Sequence, residues 1–122
     1  MRLLYVEDNR INALLFEEAL KLHQGFELRV AEDGAQALDV VQGWTPEVLV
    51  LDSHLPDTSG VELLKRLRRL PALADIPAFM CSADVQPEDM EQAAAAGFTA
   101  YWTKPISIEA VLSDLHRISA AH

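Results

Sequence analysis

The stretch that decides the fold is VLVLD at residues 48–52, four apolar residues followed by one aspartate. A short, unbroken apolar run that leads into the loop-forming residues 53–60 predicts a β-strand. Strands that are apolar on both faces are typical of the middle of a parallel sheet, because helices cover both sides of such a sheet. Residues 48–51 are therefore predicted to form a buried central strand, with Asp52 at its carboxyl end.

The apolar pattern changes between strand-like and helix-like periods on both sides of this stretch. Short apolar or alternating runs predict four further strands, at residues 2–6, 26–31, 76–81 and 99–103. Apolar residues at helical spacing predict five helices, which begin near Arg10, Gly34, Gly60, Pro87 and Ser107. This alternation predicts one doubly wound α/β domain over residues 1–122, in which a parallel sheet with right-handed crossovers carries helices on both faces.

Helical spacing also predicts which side chains pack inward. In the first helix, which Gly25 is predicted to end, the apolar face consists of Ile11, Leu14, Leu15, Ala19 and Leu22. In the last helix it consists of Ile108, Val111, Leu112, Leu115 and Ile118. Both faces are expected to pack against the sheet.

Charge and cysteine content narrow the classes of partner and location. Ten Lys and Arg against nineteen Asp and Glu give a net charge of −9, which repels nucleic-acid phosphates and anionic lipids. The basic cluster at residues 65–69 is interpreted as the solvated end of a helix. The single cysteine excludes an internal disulfide, and Glu7 and Asp8 interrupt the first apolar run too early for a signal peptide. A cytoplasmic domain that binds neither nucleic acid nor membrane is expected.

Polar side chains follow four of the five predicted strands, and they are Glu7, Asp8, Asp52, Ser82 and Lys104. In doubly wound sheets ligands bind beyond the carboxyl ends of the strands, so these side chains are expected to meet at one rim. Three carboxylates at one place repel each other unless a cation lies among them. Mg²⁺ fits this set, because it prefers oxygen ligands and the sequence offers no thiolates or paired histidines for zinc.

These residue types together are suited to phosphoryl transfer. Asp52 can attack phosphorus, Ser82 can donate a hydrogen bond to a phosphoryl oxygen, and Mg²⁺ and Lys104 can neutralise the developing charge. Each residue alone also has an ordinary structural explanation, as a turn former or a local cap. Their joint position at the ends of four strands favours the functional interpretation.

In these residues the sequence resembles the receiver domain of bacterial two-component signalling, over essentially the whole chain. The matching segments are VEDN at residues 6–9, LDSHLP at 51–56 with Gly60, CSA at 81–83 and TKP at 103–105. The tract VEDNRIN at residues 6–12 is similar to receivers attached to hybrid histidine kinases. The resemblance implies a flavodoxin-like fold whose five parallel strands lie in the order 2-1-3-4-5.

The resemblance also implies a role for each site residue. Asp52 is expected to accept a phosphoryl group from a histidine kinase or phosphotransfer domain. The expected Mg²⁺ ligands are Glu7, through water, Asp8, Asp52 and the backbone carbonyl of His54. Lys104 and Ser82 are expected to bond the phosphoryl group, while Ser82 and Tyr101 form the switch.

The expected outcome of phosphorylation is a changed surface at the fourth helix, fifth strand and fifth helix, residues 87–121, to which an unknown output partner binds. On this interpretation the domain catalyses only its own phosphorylation and dephosphorylation and is otherwise not an enzyme.

Leu55 stands where the family usually has Met, and this substitution hardly changes the side-chain volume. His54 and Asp84 lie at positions that influence the lifetime of the phosphate in this family. His54 is either a bystander or an influence on the attacking water, and Trp102 is expected to be a packing residue.

Two other functions are weighed against this one. A docking module with the same fold but no phosphorylation typically lacks acids or the lysine, whereas Glu7, Asp8, Asp52, Ser82 and Lys104 are all present. A small Mg²⁺-dependent phosphohydrolase with an aspartate nucleophile needs a second acid and a cap over its substrate, and no segment is available to build a cap. Turnover of an external phosphomonoester would favour the hydrolase, and failure to bind Mg²⁺ would favour the docking module.

Overall fold

Strands and helices alternate along the chain, as predicted. In the computed structural model the strands are β1 (Arg2–Val6), β2 (Glu27–Ala31), β3 (Val48–Asp52), β4 (Ala78–Ser82) and β5 (Ala100–Thr103). The helices are α1 (Arg10–Lys21), α2 (Gly34–Gly43), α3 (Gly60–Leu67), α4 (Pro87–Ala96) and α5 (Ile108–Ala121). The structure describes the backbone of residues 1–121 and the side chains of residues 1–119. His122, which the predicted domain includes, lies outside the described residues.

The five strands form one parallel sheet in the order β2-β1-β3-β4-β5, which confirms the predicted fold class. All five residues of β3 are buried, as expected for its central position. The strand order reverses between β1 and β3, and such a point leaves a crevice at the carboxyl ends of the two strands. Glu7 directly follows β1 and Asp52 ends β3, so both residues stand at this crevice.

The core has two layers, one on each face of the sheet. Because strand side chains alternate between faces, Leu49 and Leu51 belong to the layer under α2, α3 and α4. Val48 and Val50 belong to the layer under α1 and α5. The predicted inward face of α5 agrees with this arrangement, since Val111 and Leu115 are fully buried and Ile108, Leu112 and Ile118 pack beside them.

The predicted inward face of α1 is wrong. Ile11 is 70% exposed and Leu22 is 83% exposed, and Leu14 and Leu15 are also exposed. The helix instead buries Ala13, Phe16 and Leu20. The Phe16 ring lies 4.6 Å from the ring of Tyr5, and burial of a large aromatic ring outweighs burial of the smaller aliphatic side chains.

The helix ends follow local chemistry that the sequence contains. Asn9 caps α1, because its side-chain oxygen accepts hydrogen bonds from the amides of Ile11 and Asn12, each 3.0 Å away. Gly97 ends α4 in the left-handed conformation, with φ of 106°, that glycine adopts without a steric penalty. A short 3₁₀ helix at Pro71–Leu73 was not predicted. Among residues 1–121 no helix combines the length and the apolar character needed to cross a bilayer.

Candidate functional site

The predicted site residues at the ends of β1, β3 and β5 lie together at the carboxyl rim of the sheet. One carboxylate oxygen from each of Glu7, Asp8 and Asp52 lies within 4.8 Å of the others. The ammonium nitrogen of Lys104 lies 2.7 Å from Glu7 Oε1 and 2.9 Å from Asp52 Oδ2. The rim therefore joins three acids and one lysine from three separate segments.

Asp52 is held in place by the backbone around it. Asp52 is only 6% exposed, and the amide of His54 donates a hydrogen bond of 3.3 Å to Asp52 Oδ1. Gly60 begins α3 directly against this point, where an added Cβ would lie 2.4 Å from the carbonyl oxygen of Asp52. The close approach of α3 to the end of β3 thus requires glycine at position 60.

Glu7 has an unequal environment at its two carboxylate oxygens. Glu7 is 1% exposed, and its Oε1 atom accepts hydrogen bonds from Lys104, Tyr5 and Asn12. Among the described residues Oε2 has no hydrogen-bond partner. Burial, the largest cause, and the nearby Asp52 both raise the pKa of Glu7, Lys104 opposes them, and the net result is a pKa of about 7. A buried oxygen without a partner is costly, so this site favours an additional positive group.

Asp52 and Lys104 remain charged. Burial would raise the pKa of Asp52, but the neighbouring Glu7 and the hydrogen bond from Lys104 outweigh it, so that pKa lies below its ordinary value. Burial lowers the pKa of Lys104, yet its bonds to Asp52 and Glu7 raise it above the ordinary value. One ammonium group thus faces two buried carboxylates and the exposed Asp8.

The donor set fits a hard divalent cation. Carboxylate oxygens are the ligands that Mg²⁺ prefers, and Mg²⁺ usually keeps several waters. Asp8 is exposed to solvent while Glu7 and Asp52 are buried, so the cluster has one open side where waters can remain. The unpartnered Oε2 atom of Glu7 supports the same conclusion. The rim is therefore an acidic cluster that could bind a metal ion.

The remaining predicted residues belong to a second group of contacts beside the cluster. The hydroxyl of Ser82 lies 2.6 Å from the hydroxyl of Ser53 and accepts a hydrogen bond of 3.0 Å from the amide of Asp84. The hydroxyl of Tyr101 donates to the carbonyl oxygen of Asp84 at 2.8 Å. Ser82 and Tyr101, the predicted switch residues, are thus joined through Asp84.

The side chain of His54 is turned outward. Its side chain is 79% exposed and its Nε2 atom lies 2.7 Å from Asp84 Oδ2. The side chain of His54 thus links the loops after β3 and β4. The expected role of its backbone carbonyl as a metal ligand stays a prediction. Trp102 packs as predicted, because its ring stacks on Phe79 at 4.4 Å and its indole nitrogen donates to Asp114 at 2.7 Å.

Two contacts at the rim were missed from the sequence. Ser53 meets Ser82, although nothing in the local pattern marks it beyond its position directly after Asp52. Asp57 accepts hydrogen bonds from the amides of Gly34 and Ala35, and so it caps α2 from the loop after β3. Both contacts join segments far apart in sequence, which a local pattern does not reveal.

Comparison with known proteins agrees with this geometry. The chain matches the response regulator receiver domain family over residues 3–116. It is 34% identical over 103 residues to the polar-differentiation response regulator DivK of Brucella anthropi, which covers 84% of this chain and 83% of that protein. DivK of Brucella abortus (strain 2308) is equally similar, with the same identity and coverage.

Solved structures show the same architecture. The chemotaxis response regulator CheY4 of Vibrio cholerae superimposes with a TM-score of 0.86 at 27% identity, covering 96% of this chain and 97% of that one. The receiver domain of the Francisella response regulator 1452 gives a TM-score of 0.84 at 27% identity, covering 94% and 93%. The similarity therefore extends over nearly the whole length of both chains.

Proposed function

The chain belongs to the response regulator receiver domain family, and from that membership and its rim geometry we propose a phosphorylation-controlled switch in which Asp52 accepts the phosphoryl group. Receivers of this family are signalling domains of two-component systems. The observation that carries the proposal is the buried Asp52 carboxylate, 2.9 Å from the Lys104 ammonium and next to Glu7 and Asp8. The proposed domain comprises residues 1–122.

Asp52 is suited to act as the nucleophile. Its lowered pKa keeps the carboxylate ionised at neutral pH, and an ionised carboxylate can attack phosphorus directly. The backbone at Gly60 and His54 fixes its position at the end of β3. An attacking group held in one geometry loses less entropy in the reaction.

The groups around Asp52 would stabilise the transferred phosphoryl group. Lys104 would pair with a phosphoryl oxygen, and Ser82 would donate a hydrogen bond to another. Asp8, Asp52, the backbone carbonyl of His54 and, through water, Glu7 would hold Mg²⁺. When bound, Mg²⁺ would neutralise the charge that develops on the phosphoryl oxygens.

The signal would leave the site as a shift between two populations of conformers. A phosphoryl group at Asp52 adds charge and acceptor oxygens that draw Ser82 and Lys104 toward it. Ser82 is joined to Tyr101 through Asp84, so its movement would reach β5 and the surface of α4, β5 and α5. A partner that prefers the altered surface would then bind more tightly, by the difference in its affinity for the two conformers.

The proposed phosphodonor is a histidine kinase or a phosphotransfer protein, and the proposed location is the cytoplasm. The domain would catalyse only the capture and later hydrolysis of its own phosphoryl group. The presence of Glu7, Asp8, Asp52, Ser82 and Lys104 distinguishes it from a docking module that is not phosphorylated.

The test is phosphorylation of the purified chain by acetyl phosphate with Mg²⁺, followed by intact mass, and titration with beryllofluoride followed by tryptophan fluorescence. We expect one phosphoryl adduct and a Mg²⁺-dependent fluorescence change, both lost in Asp52→Asn. The matched control is Asp57→Asn, which alters an exposed aspartate of the same loop whose carboxylate caps α2 and lies outside the acidic cluster. It should keep both responses.

Two results would overturn the proposal. If the folded wild-type chain gave no adduct and no response at saturating Mg²⁺, a docking module would explain the protein better. If the chain hydrolysed external phosphomonoesters with many turnovers, a phosphohydrolase would explain the protein better.

A further inference from the structure

We propose that Ser53 is a positioning residue, whose hydroxyl holds the Ser82 hydroxyl away from Asp52 until phosphorylation and so sets the threshold of the switch. This role depends on the proposed function, because it concerns the step in which Ser82 turns to the phosphoryl group. The contact that carries it is the distance of 2.6 Å between the two hydroxyl oxygens. Such a distance is at the short end for a hydrogen bond between hydroxyl groups.

The fold places Ser53 and Ser82 together on one face of the sheet. Asp52 is paired with Cys81 in the ladder between β3 and β4, and the amide of Ser53 donates to the carbonyl oxygen of Cys81 at 3.2 Å. The next pair along the two strands is therefore Ser53 and Ser82. Side chains alternate along a strand, so these two serines begin on the face opposite to that of Asp52.

The neighbouring core residues support this assignment of faces. Met80, two residues before Ser82, belongs to the core layer under α2, α3 and α4. Val50, two residues before Asp52, belongs to the layer under α1 and α5. Ser82 must therefore turn from one side of the rim toward the other to reach a phosphoryl group on Asp52.

The hydrogen-bonding capacity of Ser82 identifies it as the donor in this contact. A hydroxyl group has one hydrogen and two acceptor positions, and the amide of Asp84 already occupies one acceptor position of Ser82. Ser82 is 1% exposed, and the Ser53 hydroxyl oxygen, 2.6 Å away, is an acceptor within reach of its hydrogen. A buried hydroxyl hydrogen without an acceptor is costly, so we assign Ser82 as the donor and Ser53 as the acceptor in this contact.

The Ser53 hydroxyl can donate its own hydrogen to water. It is half-buried and lines the open cleft between α3 and α4, where water can accept that hydrogen. A bond from Ser82 to a phosphoryl oxygen would use the same hydrogen that Ser82 now gives to Ser53. The two bonds compete, and loss of the first should favour the second.

The test is the affinity for beryllofluoride in the presence of Mg²⁺, measured by tryptophan fluorescence on the folded wild-type chain and on Ser53→Ala. We expect Ser53→Ala to bind about three- to tenfold more tightly, which corresponds to the net contribution of one neutral hydrogen bond. Ser53→Thr keeps the hydroxyl and should restore the wild-type affinity. In a Ser82→Ala background the same change at position 53 should have no effect, because the competing bond is already absent.

A second measurement needs no phosphoryl analogue. In the ligand-free protein, NMR couplings of the Ser82 side chain should report one χ1 rotamer in wild type and in Ser53→Thr, and averaging between rotamers in Ser53→Ala. An unchanged rotamer in Ser53→Ala would overturn the inference. So would an unchanged or weaker affinity for beryllofluoride, or an equal gain in the Ser82→Ala background.

The experiments distinguish failure of the proposed function from failure of the role of Ser53. A wild-type chain without any beryllofluoride response would remove the switch and the role of Ser53 within it. A wild-type chain that responds normally, together with a Ser53→Ala variant of the same affinity, would remove only the role of Ser53.

Discussion

The site has two halves that are held by different forces. The strand-end half consists of Glu7, Asp52 and Lys104, whose side chains are largely buried. The Lys104 ammonium lies 2.7 Å from Glu7 Oε1 and 2.9 Å from Asp52 Oδ2. The loop half consists of Ser53, His54, Ser82 and Asp84, which are joined by hydroxyl and amide hydrogen bonds and by one exposed contact between His54 and Asp84. The first half lies at the ends of β1, β3 and β5, and the second joins the loop after β3 to the end of β4 and the loop that follows it.

This difference indicates where stability and response are located. Removing one partner of a buried ion pair typically destabilises a protein by about 3–5 kcal/mol, because the other charge stays buried without compensation. An exposed pair contributes about 0–1 kcal/mol, and its partners exchange readily with water or a ligand. The strand-end half should therefore resist the loss or movement of any one partner, while the loop half can rearrange at little cost.

The largest expected effect follows from removal of the shared cation. Lys104→Met should lower the free energy of unfolding by about 3–5 kcal/mol near neutral pH, because Glu7 and Asp52 would lose their common partner. Urea denaturation followed by circular dichroism measures this change. The matched control is Lys21→Met, which removes an exposed lysine paired with Glu17 and Glu18 and should leave stability unchanged. Similar losses in both variants would contradict the distinction between the halves.

The next effect is a pH dependence that belongs to Glu7. Its pKa rises from 4.5 to about 7 on folding, so between these values the folded state binds more protons than the unfolded state. Stability from this group is therefore fully present below 4.5 and falls as pH rises through 7, by up to about 3 kcal/mol in total. The lowered pKa of Asp52 acts below 3.8 and the raised pKa of Lys104 acts above 10.5, so neither interferes in this range.

The measurement compares urea denaturation of wild type and Glu7→Gln from about pH 5 to about pH 8 without divalent cations. Wild type should lose stability relative to Glu7→Gln as the pH rises. A difference between the two proteins that stays constant, or that grows in favour of wild type, would show that Glu7 is ionised throughout.

The same two halves differ in how far the sequence predicted them. The strand-end half was predicted correctly in its position, because residues that directly follow strands of a parallel sheet must meet at one rim. The apolar run at residues 48–51 was sufficient to locate the central strand and Asp52 at its end. The contact between Ser53 and Ser82 was not predicted, because it depends on the register of β3 against β4, which no local pattern determines.

Helix α1 shows the same limit within the fold. Its apolar residues occur on more than one side, so helical spacing alone did not determine which side packs inward. Phe16 and Leu20 are buried in place of Ile11 and Leu22, and the ring of Phe16 meets that of Tyr5, a contact between segments that helical spacing does not reveal. In α3 the buried residues Leu63, Leu64 and Leu67 form one stripe opposite charged residues, so helical spacing is less ambiguous there.

A smaller effect is expected at the junction of β3 and α3. Gly60→Ala would place a Cβ atom 2.4 Å from the carbonyl oxygen of Asp52, so the helix or the strand end must shift. We expect a loss of about 2 kcal/mol in the free energy of unfolding, typical of overpacking at a rigid contact. Gly43→Ala is the matched control, because its Cβ atom would meet nothing within 4 Å in α2, and it should be neutral or slightly stabilising. Equal stability of Gly60→Ala and wild type would show that this junction is adaptable.

The smallest effect on stability is expected in the loop half, at His54. His54→Ala removes a side chain that is 79% exposed, so the free energy of unfolding should change by less than about 0.5 kcal/mol. The Asp84 amide, which donates to Ser82, should nevertheless exchange its hydrogen faster, because Asp84 loses its link to the loop after β3. Hydrogen exchange measured by NMR on wild type, His54→Ala and the exposed control His23→Ala separates the two quantities. Loss of global stability in His54→Ala alone would mean that the loop half supports the fold as the strand ends do, whereas faster local exchange at constant stability would locate the movable part of the site in these loops.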